Sequence, residues 1–270
     1  MALLDDLHRL ATADQAARRN ALLTLLRESD APFTLSRERL GPHRPENIAV
    51  RFHEEGGPRL VLGAHYDSVP GSTGANDNGA AVVVLLTWLR LALAHPPRIP
   101  LEVVFFDLEE LGQLGSQAYL DQVGAENVLA MINLDICGVG DTILVAPRHH
   151  VDLGPLRQPL QSAAFAGAHP YEIVDLLPPG DDLTFERADI PTISVCMAPW
   201  QDRDAVLETA QSIYHGRVPA ELPMIWDTIH NGRRDSIQSI EEQAMQSIFT
   251  WLVETMKQFE TSGEASQSIP

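Results

Sequence analysis

His65 and Asp67 alternate in the stretch LGAHYDSV, and Asp77 follows twelve residues after the histidine, across the loop PGSTGAN. Downstream stand two adjacent glutamates, Glu109 and Glu110, and an aspartate, Asp135, set in the run INLDIC. Imidazoles and carboxylates brought to one place suit a divalent transition metal, zinc first. A carboxylate has two oxygens, so one aspartate can bridge two ions about 3.5–4 Å apart. Such ions polarise a carbonyl and activate water, provided a free carboxylate stands by to take the proton. Glu109 and Glu110 can divide the roles of base and ligand, and Asp67 can orient the second ring nitrogen of His65. These residues therefore read as metal-assisted hydrolysis. Each also has an ordinary role: a structural histidine, a helix cap at Asp77, a solvated Glu–Glu pair. Asp135 is the least ordinary, because an acid between apolar neighbours is costly unless paired or ligated.

The elements that must position them follow from pattern. Apolar spacing predicts a helix over 14–28, strands over 47–52 and 59–65 around the turn EEGGP, and a long apolar helix over 77–94 ended by HPPRIP. Further strands are expected at 101–108, 128–136, 141–146 and 190–197, with helices at 116–123, 151–167 and 236–259. Strands alternate with helices and are apolar on both faces, which predicts a three-layer α/β/α sandwich around a mixed, mostly parallel sheet. In such sheets ligands gather beyond the carboxyl ends of the strands. His65, Glu109, Glu110 and Asp135 all fall at such ends. One catalytic domain is expected over 1–259, with a flexible tail over 260–270.

The chain has 270 residues, 37 acidic against 19 basic, and a formal charge of −18. That repels phosphate backbones and argues against a nucleic-acid partner. The acidic N-terminus has no secretory pattern, and no apolar run is expected to reach the roughly 18 residues of a membrane span. A cytoplasmic protein without membrane association is the expectation. Cys137 and Cys196, in the apolar runs ICG and VCM, are expected as buried free thiols, with a single bridge as the alternative.

In this order, AHYDSV, GANDNGAA, EELGQLGS and NLD resemble the zinc-dependent aminopeptidase family that includes aminopeptidase S and aminopeptidase Y. Glutamate carboxypeptidase and the glutaminyl cyclases are related to it. The resemblance runs from about Asn47 to the closing helix and implies the phosphorylase/hydrolase-like zinc peptidase fold. It also implies two zinc ions per chain, with cobalt or manganese as substitutes. His65 and Asp135 would hold the first ion, with Asp67 behind His65. Asp77 would bridge both ions and precede a cis peptide bond to Asn78. Glu110 and a late histidine would hold the second ion, and Glu109 would be the general base. IHNGRRDSI supplies that histidine as His230, with Asp235 behind it; Asp227 is the alternative ligand and His215 a more distant one. Ile229 stands where the family often has an aromatic hydroxyl. GDDLTFERADIP resembles the family's Ser-Asp-His-x-x-Phe stretch, with Asp181 matching its aspartate as a candidate substrate contact and Asp182 replacing its histidine. Trp200 and Trp226 could wall a pocket. The implied reaction is removal of the N-terminal residue from a peptide with a free amino end, Glu109 carrying the proton from water to the leaving amine. A glutaminyl-cyclase-like acyl transferase using one zinc and an inactive binding module are the competing readings. Side-chain preference and oligomeric state are not legible.

Overall fold

A computed structural model describes residues 3–53, 57–147, 153–166, 171–219 and 221–267. The chain opens with α1 (Leu3–Leu10) and α2 (Gln15–Glu28). Asp14 caps α2, its carboxylate accepting from the N–H groups of Ala16 and Ala17 at 2.9 and 3.0 Å. Strands β1 (Phe33–Arg37), β2 (Glu46–Phe52) and β3 (Arg59–His65) precede α3 (Ala81–Ala94) and β4 (Leu101–Phe106). Then come α4 (Leu114–Val123), β5 (Val128–Leu134), β6 (Thr142–Pro147), α5 (Arg157–Ala166) and β7 (Tyr171–Ile173). The chain closes with α6 (Asp182–Arg187), β8 (Thr192–Ala198), α7 (Arg203–Tyr214) and α8 (Glu242–Gln267).

All eight strands form one sheet in the order β1-β2-β4-β3-β5-β8-β6-β7. The four central strands, β4-β3-β5-β8, run parallel. The β1–β2, β2–β4 and β6–β8 pairs are antiparallel, and β7 joins β6 in parallel. The expected α/β sandwich is therefore present. Alternate residues of the central strands feed two cores. Leu60, Leu62, Leu101, Val103 and Phe105 face the larger one, which α1, α3 and α8 cover. Val61, Val104 and Phe106 face the smaller, where Phe106, Tyr119 and Phe185 pack with ring centroids 5.8–6.0 Å apart. Gly63 makes room for this cluster, since a Cβ there would sit 2.6 Å from Phe106.

Several boundaries differ from expectation. The helix expected from residue 77 begins at Ala81, because residues 75–80 form a π-helical turn in which Asp77 and Asn78 leave helical φ/ψ. The closing helix starts at Glu242 rather than 236 and continues to Gln267. The helix expected over 151–167 is a 3₁₀ turn at 154–156 followed by α5, and residues 151, 152 and 167 lie outside those described. Part of the EEGGP turn, 54–56, also lies outside them. Residues 75–94 are long and apolar enough to cross a membrane, contrary to expectation. Yet 78% of that window is buried inside the fold, where α3 packs on the sheet, α1 and α8. Cys137 and Cys196 are free and buried.

Candidate metal centre

The carboxyl ends of β3, β4 and β5 carry the residues singled out by type and spacing. His65 is the last residue of β3 and is buried. Beyond β4 the chain passes Leu108, at φ 54°, into a 3₁₀ turn that presents Glu109 and Glu110. Asp135 follows β5 directly, with Ile136 at φ 52° turning the chain behind it. Positive φ at a leucine and an isoleucine is unfavourable and needs support from its surroundings. At Ile136 that support is visible: its N–H donates to Asn78 Oδ1 at 3.1 Å, while Asn78 Nδ2 donates to the Leu134 carbonyl at 2.9 Å.

Asp77 stands at the centre. The peptide bond that follows it is cis, and its side chain makes no helix cap. One carboxylate oxygen lies 3.1 Å from His65 Nε2; the other lies 2.9 Å from His230 Nε2. Two groups of potential donors result, with Asp77 common to both: His65–Asp77–Asp135 and Asp77–Glu110–His230. Within them His65 Nε2 is 3.6 Å from Asp135 Oδ1, and His230 Nε2 is 3.3 Å from Glu110 Oε2.

Asp67 ties this arrangement to the Glu109–Glu110 turn. Its two oxygens accept from the backbone N–H groups of Glu109 and Glu110 at 3.0 and 3.2 Å. Oδ1 also lies 3.3 Å from His65 Nδ1, close enough for charge attraction although the ring nitrogen makes no aligned hydrogen bond. Glu109 itself is in neither donor group; it accepts from Gln113 Nε2 at 3.1 Å.

The electrostatics are those of crowded acids around two imidazoles. Burial works against the charge of Asp77, but its hydrogen bonds with His230 and His65 outweigh this and hold its carboxyl well below the usual range. His230 is pushed up to about 10, by Asp77 first and Glu110 next. Burial opposes protonation of His65, yet the adjacent carboxylates of Asp135, Asp67 and Asp77 raise it. Burial lifts Asp135 to about 6 and Asp181 to about 8, and burial with the charges of Asp181 and Asp135 lifts Glu109. Glu110 Oε1, Asp135 Oδ1 and both oxygens of Asp181 are buried without a hydrogen-bond partner. Buried orphan oxygens cost free energy unless something unlike a neutral side chain meets them. A donor set of imidazoles and carboxylates, negative in sum, with orphan oxygens aimed inward, fits divalent transition ions.

The remaining expectations fall as follows. His230 stands beside Asp77 and Glu110, whereas Asp227 lies outside both donor groups and pairs with Arg233 at 2.7 Å. His215 ends α7, outside both groups as well. Asp235 supports the His230 turn from the backbone, accepting from Asn231 N–H at 2.8 Å and from Thr73 Oγ1 at 3.1 Å. Asp182 accepts from Gly180 N–H at 3.1 Å. Trp226 packs against the larger core, and Trp200 is 59% exposed. Two supports were not foreseen. Asn76 links the Asp77 turn to the His230 segment, donating to Thr228 Oγ1 and accepting from Gly138 N–H, both at 2.8 Å. Arg18 of α2 is buried with 1% exposure and donates to the carbonyls of Tyr66, Thr73 and Gly74, which flank the His65 and Asp77 segments, and to that of Leu10 at the end of α1. The paired asparagines around Asp77 in NDN are a signal that could have been read; Arg18 in ARRN carries none.

Comparison with known proteins places this geometry. The sequence model of peptidase family M28 matches residues 47–256. The chain belongs to peptidase family M28. Aminopeptidase YwaD of Bacillus subtilis is 37% identical over 103 residues, 37% of this chain and 21% of that protein. A vacuolar membrane protease of Yarrowia lipolytica is 37% identical over 100 residues, 35% of this chain and 10% of that protein. Such matches span about a fifth of the one relative and a tenth of the other. In fold, the chain is similar to BSAP, a zinc aminopeptidase from Bacillus subtilis (TM-score 0.61, 24% identity, 78% of this chain and 49% of that one). It is also similar to an Acidobacteriales bacterium glutaminyl cyclase (TM-score 0.71, 17% identity, 96% and 92%). The M28 match begins at Asn47, so the helical hairpin that carries Arg18 lies ahead of it.

Proposed function

We propose that this M28 chain is a co-catalytic two-zinc aminopeptidase that hydrolyses the N-terminal peptide bond of peptides. The observation that carries the reading is Asp77, whose two oxygens face two imidazoles belonging to two separate donor groups. His65, Asp77 and Asp135 would hold one ion; Asp77, Glu110 and His230 the other. Bound there, zinc supplies Lewis acidity toward a carbonyl and makes water a better nucleophile at neutral pH. Asp67 keeps His65 and the Glu109–Glu110 turn in register. Glu109, free of both donor groups and raised in pKa, takes the proton from the attacking water and returns it to the leaving amine. A cation nearby would favour its ionised form and so lower its pKa. The surplus of carboxylates attracts the substrate's α-ammonium, and the buried, unpartnered Asp181 is proposed as one of its contacts. Hydrolysis of a panel of aminoacyl anilides by zinc-loaded protein, with and without a chelator, tests the reading. Chelator-sensitive release supports it, and zinc bound without any release overturns it.

A second reading, a glutaminyl-cyclase-like acyl transfer using one zinc, draws on the likeness in fold to the Acidobacteriales bacterium glutaminyl cyclase. The complete second donor group speaks against it. An N-terminal glutaminyl peptide separates the two by its product, free glutamine or the cyclised peptide.

A further inference from the structure

The run SRERLGPHRP, residues 36–45, spans the end of β1 and the connection to β2. Its arginines Arg37, Arg39 and Arg44, with Arg19 from α2, line a cavity of about 870 Å³. In a chain of net charge −18, four guanidinium groups gather around this one cavity, beside five carboxylates that also line it. Asp67 and Glu110 line the same cavity, so it adjoins the candidate metal centre. Two carboxylates of the connection also reach it. Glu46 is engaged by Arg19 on one oxygen and by Arg37 on the other; Glu38 is exposed. Arg39 donates Nε to the Gly41 carbonyl at 3.2 Å, which steadies its arm and leaves its charge without a carboxylate. Arg44 is exposed and has no hydrogen-bond or ion-pair partner among the described residues. The other acids at the cavity are engaged within the chain. Asp67 accepts from the Glu109 and Glu110 N–H groups, Glu110 meets His230, and Asp107 accepts from the N–H groups of Glu46 and Leu108.

We propose that this arginine cavity binds a carboxylate of the substrate on the C-terminal side of the cleaved bond. The inference rests on the aminopeptidase reading. A short peptide carries an ammonium at one end and a carboxylate at the other, and the acidic donor site with its adjoining arginine cavity offers the complementary pair. Guanidinium groups suit the task because their planar N–H fork matches a carboxylate, and Leu108 and Leu111 supply apolar surface for the intervening chain. The carboxylate is that of the peptide's own C-terminus or of an acidic side chain near the scissile bond.

The test compares peptides X-Gly-Gly with X-Gly-Gly-amide, and X-Gly-Glu-amide with X-Gly-Gln-amide, X being the residue best released in the anilide panel. The acid member of one pair should exceed its amide in kcat/KM by roughly five- to twentyfold, as expected for charge-assisted hydrogen bonds partly open to water. Which pair responds identifies the source of the carboxylate. The ratio should fall below about twofold in Arg39→Gln/Arg44→Gln and shrink as salt is raised from about 0.05 to about 0.5 M. Equal rates within both pairs, or a ratio that survives the double substitution, overturns the proposal. If wild-type protein cleaves neither anilide nor peptide, the aminopeptidase reading fails by itself. Calorimetric titration of Ala-Gly-Gly and Ala-Gly-Glu-amide against their uncharged counterparts then decides the cavity. Tighter binding of an acid that is lost in the double variant upholds it, and equal binding overturns it.

Discussion

Glu109 and Glu110 are chemically identical neighbours with different surroundings. Glu110 points at His230, 3.3 Å away, while Glu109 is held by Gln113 and raised by burial. Glu109→Gln keeps the shape and should retain both metal sites, yet lower kcat by roughly 10²–10⁴-fold, the usual worth of a positioned general base. Metal analysis beside steady-state kinetics checks this, and near-normal turnover would remove Glu109 from its role. His230→Ala should lower bound zinc from two toward one per chain, and Asp227→Ala should not, because Asp227 is engaged with Arg233. The reverse outcome in metal stoichiometry would reassign the ligand. The pKa shifts give a pH dependence for metal-free protein. His230 is raised to about 10 from an ordinary histidine value, so its contribution is complete below about pH 6.5 and is lost as pH rises toward 10. Asp77 is depressed, so its contribution is present above about pH 4 and is lost below that. Thermal midpoints of chelated protein should therefore be highest between these edges and decline on the alkaline side. Zinc affinity should run the opposite way over that range, rising with pH, because ligation displaces the imidazolium protons; calorimetry in buffers of different ionisation enthalpy reads their release.

At the level of elements, the four central strands bring residues distant in the chain to one edge, and the loops between them are held by buried polar side chains. Arg18 is one such device, its pKa lowered to about 10 by burial and the group still cationic at neutral pH. Arg18→Met would leave the carbonyls of Leu10, Tyr66, Thr73 and Gly74 without this donor, at about 1–3 kcal/mol for each buried oxygen left unpaired. A fall in stability of about 3 kcal/mol or more is expected, together with a weakened cobalt absorption band from disorder at Asp77. A stability loss with an unchanged cobalt spectrum would restrict Arg18 to folding. Gly74→Ala probes the same contact. Gly74 sits at φ 58°, and an added Cβ would lie 2.5 Å from Arg18 Nη1 and 2.8 Å from Ser68 Cβ, so about 1–3 kcal/mol of destabilisation should show in denaturant titration. The long apolar strands and helices were legible in the sequence because their burial is written in local pattern. Strands β1 and β7 and helices α1, α6 and α7 were not, being short or amphipathic pieces whose conformation depends on the edge or surface they meet. Residues 77–80 of the π-helical turn are expected as helix because the apolar run of α3 follows them without a break, whereas the side-chain partners of Asn76 and Asn78 hold the turn otherwise.

For the molecule as a whole, the acidic centre should make stability depend on metal. At zinc about a thousandfold above its dissociation constant, one site adds about 4 kcal/mol, or roughly 8–16 °C in a domain of this size. A chelator should remove that increment in a thermal scan, and an unchanged midpoint would count against any folded metal site. The sequence by itself determined the α/β alternation and the family, and it singled out His65, Asp77, Glu110 and Asp135 as candidate donors, because burial period and ligand chemistry are local properties of residue type and spacing. It left open whether His230 or Asp227 completed the second donor group, since both sit in one irregular stretch. Only the folded chain decided that, by turning His230 at φ 51° onto Asp77 and Glu110 and Asp227 out to Arg233. The fold alone also brought Arg18 beneath the Asp77 loop and gathered four arginines beside an acidic centre. Contacts between segments far apart in the chain are set by how the sheet closes and leave no periodic trace in the sequence.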